Sequence, residues 1–210
     1  MKRFSETRAL PWPEIFSSLA NFQIDFLERL LDMVNTQRNK ALEELKQRAK
    51  EEEKEDFRRT KQEYEASIDA FVDERWLLDE AQSQAEQLSI VGLYRTVEFL
   101  TKKIISRPYY GHKAKIKECY DWCKLKKNLE KDFFGFDLSN IVSYDTVDEL
   151  RRLNNAIKHN DGVVTAKLAE FSGWKEGEKI RNLRPHFDRF AAHIPKYLAD
   201  FTEKLNDQLV

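Results

Sequence analysis

Apolar positions recur at helical spacing along nearly the whole chain. Ile15, Phe16, Leu19, Phe22, Phe26, Leu27, Leu30, Leu31 and Val34 fall mostly three and four apart and predict a strongly amphipathic helix. Trp12, Pro13 and Glu14 mark its start, because proline suits a first helical turn and an acid there meets the positive end of the helix dipole. The apolar pattern then thins to Ala41, Leu42, Leu45 and Ala49, followed by Phe57 and Tyr64. It returns from Ile68 to Ile105, where Phe71, Val72, Trp76, Leu77, Leu88, Val91, Val97, Leu100 and Ile104 predict one buried helix or a pair.

Pro108, Tyr109, Tyr110 and Gly111 form a turn, and a shorter helix is expected from Ala114 to about Asp132. Phe133, Phe134, Gly135 and Phe136 read as an aromatic loop that plugs the core. A helix follows, with Asp145 expected at its N-cap and Lys158 and His159 in its last turn before Asn160, Asp161 and Gly162. Val163 to Phe171 is expected as a short helix, Gly173 to Gly177 as a loop, and Pro185 to Leu209 as a final helix kinked or restarted at Pro195. No stretch alternates with β periodicity. The fold class is therefore all-α: a helical bundle with a long charged N-terminal helix or helical hairpin.

Composition fits that reading. In 210 residues, 35% are charged and 12% aromatic, while there are only six glycines and five prolines. Aromatic stripes facing inward and charges facing outward satisfy both numbers. The length suits one continuous domain, with residues 1–70 as an N-terminal helix and charged arm and residues 71–210 as the bundle. Between Lys46 and Glu65 there are seven bases and seven acids, and Glu44 with Arg48 and Glu55 with Arg59 are spaced for i,i+4 pairs. The run reads as a solvated helix, or as an arm that binds a partner through the seven-residue series Phe57, Tyr64, Phe71.

Thirty-six bases against 37 acids leave a net charge of −1, so no global field draws a polyanion to the surface. The first residues lack the apolar run of a signal peptide and no later run is long enough for a bilayer, which predicts a cytoplasmic protein without membrane attachment. Cys119 and Cys123, four apart in a predicted helix, would share a side and remain reduced thiols. His112 precedes them, but no second ligand pair completes a metal site, and no metal or cofactor is expected. His186 and His193, seven apart on the last helix, read as ordinary histidines.

The helix from Asp145 to Asn160 carries the candidate chemistry. At 100° per residue, Val147, Leu150, Leu153 and Ile157 lie on a core-facing arc. Glu149, Arg152, Asn155 and His159 lie on another. A purely structural reading pairs Glu149 with Arg152, lets Asn155 support His159, and lets the histidine cap the last carbonyls.

The segment Leu153, Asn154, Asn155, Ala156, Ile157, Lys158, His159 to Gly162 resembles the signature helix of the HEPN superfamily, helical bundles that carry an Arg, four to six residues and a His. Arg152 and His159 have six residues between them. In the commonest form of the signature Arg directly precedes Asn; here Asn154 stands before Asn155. Upstream, Tyr94 and Glu98 resemble the aromatic and acidic pair that such bundles often carry on an early core helix facing the signature.

The resemblance spans roughly Leu88 to Leu205. It implies a metal-independent endoribonuclease of a defence or toxin-like system, acting as a homodimer or with a partner. His159 would be acid or base and Arg152 would stabilise phosphoryl charge. Asn155 would orient the imidazole and Glu98 would hold Arg152. Arg151, Lys158 and Lys102 would contact RNA, with Tyr94 and Glu149 supporting the site. The alternative it leaves open is a non-catalytic protein-interaction or dimerisation module.

Overall fold

A computed structural model describes residues 13–55, 61–109, 112–119, 121–133 and 136–208. Trp12, Phe57, Arg59, Tyr110, Gly111, Phe134, Gly135 and Leu209 lie outside the described residues, as do the side chains of residues 53–62. Among the described residues the elements are α1 (Pro13–Glu55), α2 (Lys61–Ile105), α3 (Lys113–Glu118), α4 (Trp122–Asp132), a short 3-10 helix at Leu138–Asn140, α5 (Tyr144–His159) and α6 (Arg184–Asp207). The chain is an all-α bundle. Among the described residues the only β-type pairing is one antiparallel bridge, Val163 to Lys179. None of their helices is long and apolar enough to cross a membrane.

Helices α1 and α2 form an antiparallel hairpin, and α1, α2, α5 and α6 pack on one another. At 1.5 Å per residue the hairpin helices are about 65 Å long, whereas α6 is about 36 Å and α5 about 24 Å. The hairpin therefore outruns the bundle. Its proximal half supplies Phe16, Ala20, Ile24 and Leu31 from α1 and Ile90, Leu93, Val97, Leu100 and Ile104 from α2 to the shared core. Val147, Leu150 and Leu153 of α5 and Phe187, Phe190, Ile194 and Phe201 of α6 complete it. At about 25 cal/mol per Å2 of apolar area removed from water, this contiguous cluster is the main stabilising contribution to the fold.

The distal half is held differently. Leu45 is buried there, while Arg38 pairs with Asp79, Arg48 with Glu74 at 2.5 Å, and the Ser67 hydroxyl donates to Glu52 at 2.6 Å. The charged arm thus folds against its own α2, and Glu44 pairs with Lys40 at 3.8 Å rather than with Arg48. Helix α2 runs unbroken through residues 70 and 71. Of the seven-residue series, Tyr64 is exposed and Phe71 half-buried.

Several element boundaries differ from the expectations. Ile68–Ile105 lies in one helix that starts at Lys61, not in a pair, and its first half is not buried: Val72, Trp76 and Leu77 are exposed. The expected helix from Ala114 to Asp132 is two, because the chain turns at Cys119 and restarts where the Asp121 carboxylate accepts from the Lys124 N–H at 3.0 Å. Cys119 and Cys123 consequently do not share a helix side: Cys119 is buried at the break and Cys123 is exposed on α4. No helix forms over residues 163 to 171: Val163 is in the bridge to Lys179 and residues 166 to 170 are turns. Phe133 and Phe136 are buried, as a core plug requires, and Phe136 meets Phe201 edge-on at 5.9 Å. Helix α6 continues through Pro195, which has no N–H to donate to the preceding turn.

Candidate functional site on the fifth helix

Helix α5 is entered through Ser143, a left-handed residue with φ 62° whose side chain makes no cap; Asp145 sits in the first turn and not at the N-cap. At the other end the Asn160 and Gly162 N–H groups both donate to the Ala156 carbonyl, at 3.1 and 3.2 Å. Gly162 takes φ 65°, the left-handed conformation that ends a helix at least cost for a residue without Cβ. Val147, Leu150 and Leu153 are buried and Ile157 is half-buried, so the predicted apolar arc is the one that packs.

The polar residues divide in a way the helical projection does not give. Asp148, not Glu149, partners the arginines: it accepts from Arg151 Nε at 2.8 Å and Arg152 Nε at 3.0 Å. Arg152 also donates through Nη1 to Glu170 at 2.6 Å and to the Lys167 carbonyl at 2.7 Å, and its guanidinium lies 5.2 Å from the centre of the Phe171 ring. Burial by itself would lower the Arg152 pKa, but the Glu170 hydrogen bond and the Asp148 charge outweigh it and raise the pKa. Arg151 sits over the Trp122 ring at 5.7 Å.

Glu149 is only 4% exposed and belongs to the interior. Its carboxylate accepts from Trp174 Nε1 at 2.8 Å and from Arg189 Nη1 at 2.9 Å, which ties α5 to the loop before α6 and to α6 itself. The expected Glu149–Arg152 pair is therefore absent. His186 stacks on Trp174 with ring centres 4.4 Å apart. Burial, with the Arg189 charge second, lowers its pKa.

Of the remaining candidates, Tyr94 lies close enough to this network for the Asp148 and Arg151 charges to act on its hydroxyl. Asn155, Lys158 and His159 are exposed towards the C-terminal end of α5, and no hydrogen bond joins Asn155 to His159. Glu98 does not hold Arg152; it accepts from Lys102 one turn along α2 at 2.8 Å. Tyr94 is half-buried, and burial, with the Glu98 charge next, pushes its pKa up to about 12. Asn154 is 2% exposed and its Oδ1 has no partner. Position 154 therefore points inward, and an arginine there would be buried.

The sequence reading missed Asp148, Glu170, Trp174 and Arg189. Asp148 was within reach, because it lies at i,i+4 from Arg152. The others join through tertiary packing, 18 to 40 residues along the chain from their partners, and carried no local signal. Among the described residues no group of three or more His, Cys, Asp or Glu could hold a metal ion. No family model, no curated protein and no solved structure matches this chain.

Proposed function

We propose that this chain is a HEPN-like helical protein acting as a non-catalytic interaction module. The observation that carries the reading is the state of Arg152: its guanidinium is committed to Asp148, Glu170, the Lys167 carbonyl and the Phe171 face. Nε and Nη1 are both occupied, so a phosphoryl group gains a two-pronged contact only by displacing Asp148 or Glu170, and each charge-assisted bond lost opposes that exchange by about 1.5–3 kcal/mol. With Asp148 and Glu170 set against Arg151 and Arg152, this helix face is nearly charge-balanced.

The second reading is the metal-independent ribonuclease of a defence or toxin-like system, working as a dimer in the cytoplasm. His159, Asn155 and Lys158 favour it, since all three are exposed at one end of α5. A dimer would place two such ends at one RNA strand.

Incubating RNA with the purified protein in EDTA separates the readings, with Arg152→Ala and His159→Ala alongside the wild type. The interaction-module reading expects no cleavage by any of the three. Cleavage by the wild type that His159→Ala abolishes would overturn it in favour of the ribonuclease.

A further inference from the structure

Helix α1 carries two apolar faces. One holds Phe16, Ala20, Ile24 and Leu31 in the core. The other runs through Ile15, Leu19, Phe22, Phe26, Leu30 and Met33, all exposed, at successive spacings of four, three, four, four and three. On a helical projection these six side chains fall within about 80° of arc and along about 27 Å of axis. Phe22 is 75% and Phe26 65% exposed, far more than side chains that serve only their own core.

Helix α2 continues the face. Phe22, Phe26 and Leu27 on one side and Arg95 and Phe99 on the other line a groove of about 380 Å3. Its floor is Gly92, whose missing Cβ makes room for Leu27: a Cβ there would stand 2.8 Å from a Leu27 methyl. Leu88, 70% exposed, lies one helical turn from Gly92 on the same surface. A fully exposed aromatic side chain offers roughly 150–250 Å2, and an aliphatic one somewhat less. Scaled by their exposed fractions, these residues present on the order of 800 Å2, against about 300–600 Å2 for the largest apolar patch of an ordinary monomer.

We infer that this α1–α2 face is the contact between two copies of this chain. The exposed apolar area is of the same order as the roughly 800 Å2 per partner that a standard interface buries. The net charge of −1 sets no repulsive field between copies. A two-fold contact also uses one surface twice, so the Phe22–Phe26 ridge of each copy has the groove beside Gly92 of the other to enter.

The inference rests on the interaction-module reading and names its partner. A monomer would remove the inference and leave that reading standing, whereas His159-dependent RNA cleavage would remove the reading and leave the dimer.

Sedimentation velocity of the full chain, at concentrations up to tens of micromolar, tests it. The wild type is expected at twice the 25.0 kDa chain mass. The double variant Phe22→Ser, Phe26→Ser is expected at the single-chain mass with its helical circular dichroism unchanged, because both side chains are exposed. If that variant loses helicity, Leu88→Lys on the α2 side replaces it with the same expectation. A wild type that stays monomeric throughout, or a dimer that persists in the folded variant, overturns the proposal.

Discussion

Glu149 and Arg189 meet across the junction of α5 and α6, with Nη1 donating to Oε2 at 2.9 Å, and the two ends of the pair differ sharply in exposure. The Glu149 side chain is 5% exposed and the Arg189 side chain 42%. Removing one partner therefore does not cost the same as removing the other.

Arg189→Ala leaves a carboxylate in the interior with Trp174 Nε1 as its remaining donor, and stranding a buried charge costs about 3 kcal/mol. Glu149→Gln keeps an acceptor for Trp174 and leaves a guanidinium that can turn to water, at about 1 kcal/mol. Urea titrations should show the larger drop in midpoint for Arg189→Ala with similar slopes for both. Equal drops would mean that the pair behaves as a surface salt bridge.

His186, stacked on Trp174 beside the same arginine, makes stability depend on pH. Its folded pKa lies below the ordinary value of 6.5, burial being the main cause and Arg189 the next. As pH falls through about 6.5 the unfolded chain takes up a proton that the folded chain resists. Its contribution is thus fully present above that pH and is lost progressively below it, down to the folded pKa. His186→Phe keeps an aromatic ring against Trp174 and removes the titration. The melting temperature of the wild type should fall more between pH 7.5 and pH 5 than that of His186→Phe; parallel falls would assign the effect to other groups.

Most of the fold was legible in the sequence because it rests on local periodicity. The spacing of the apolar positions from Ile15 to Val34 marks α1 as a helix, although only Phe16 and Leu31 among those named are buried, and that of Val147, Leu150 and Leu153 fixes the inner face of α5. What escaped was set by tertiary contacts. Asp121 restarts a helix that periodicity alone carries through, and Glu149, polar and one position before Leu150, is drawn inside because Trp174 and Arg189 arrive there. The second apolar arc of α1 merged with the first in the sequence, since spacings of three and four fill both sides of one helix. Exposure alone separates them. Arg152 was legible as a candidate side chain and not as an occupied one, because Glu170 and the Lys167 carbonyl reach it from a segment expected to be helical.

Asn154 is likewise placed by tertiary packing. It is buried with Oδ1 unpartnered, and its Nδ2 reaches Asn155 Oδ1 only at 3.4 Å. Asn154→Leu replaces an amide that is poorly satisfied with a similar volume, so stability should change by less than about 1.5 kcal/mol and can rise. Asn154→Arg brings the commonest HEPN arrangement into the sequence, yet places a guanidinium in the interior at a cost of about 3 kcal/mol or more. Thermal unfolding of the two variants should separate them widely. An arginine variant as stable as wild type would mean that residue 154 can swing to the surface.

Ser143 offers the most local test, because strain and a hydrogen bond oppose each other on one residue. Its φ of 62° costs a residue with Cβ about 1–2 kcal/mol, and its hydroxyl lies 2.8 Å from His193 Nδ1. Ser143→Ala keeps the strain and loses the bond, so it should destabilise by about 1 kcal/mol. Ser143→Gly loses the same bond but relieves the strain, and should lie within about 0.5–1 kcal/mol of wild type. Chemical denaturation of the two variants therefore isolates the backbone contribution as the difference between them. If alanine and glycine are equally destabilising, the left-handed entry into α5 carries no strain and the hydrogen bond alone holds it.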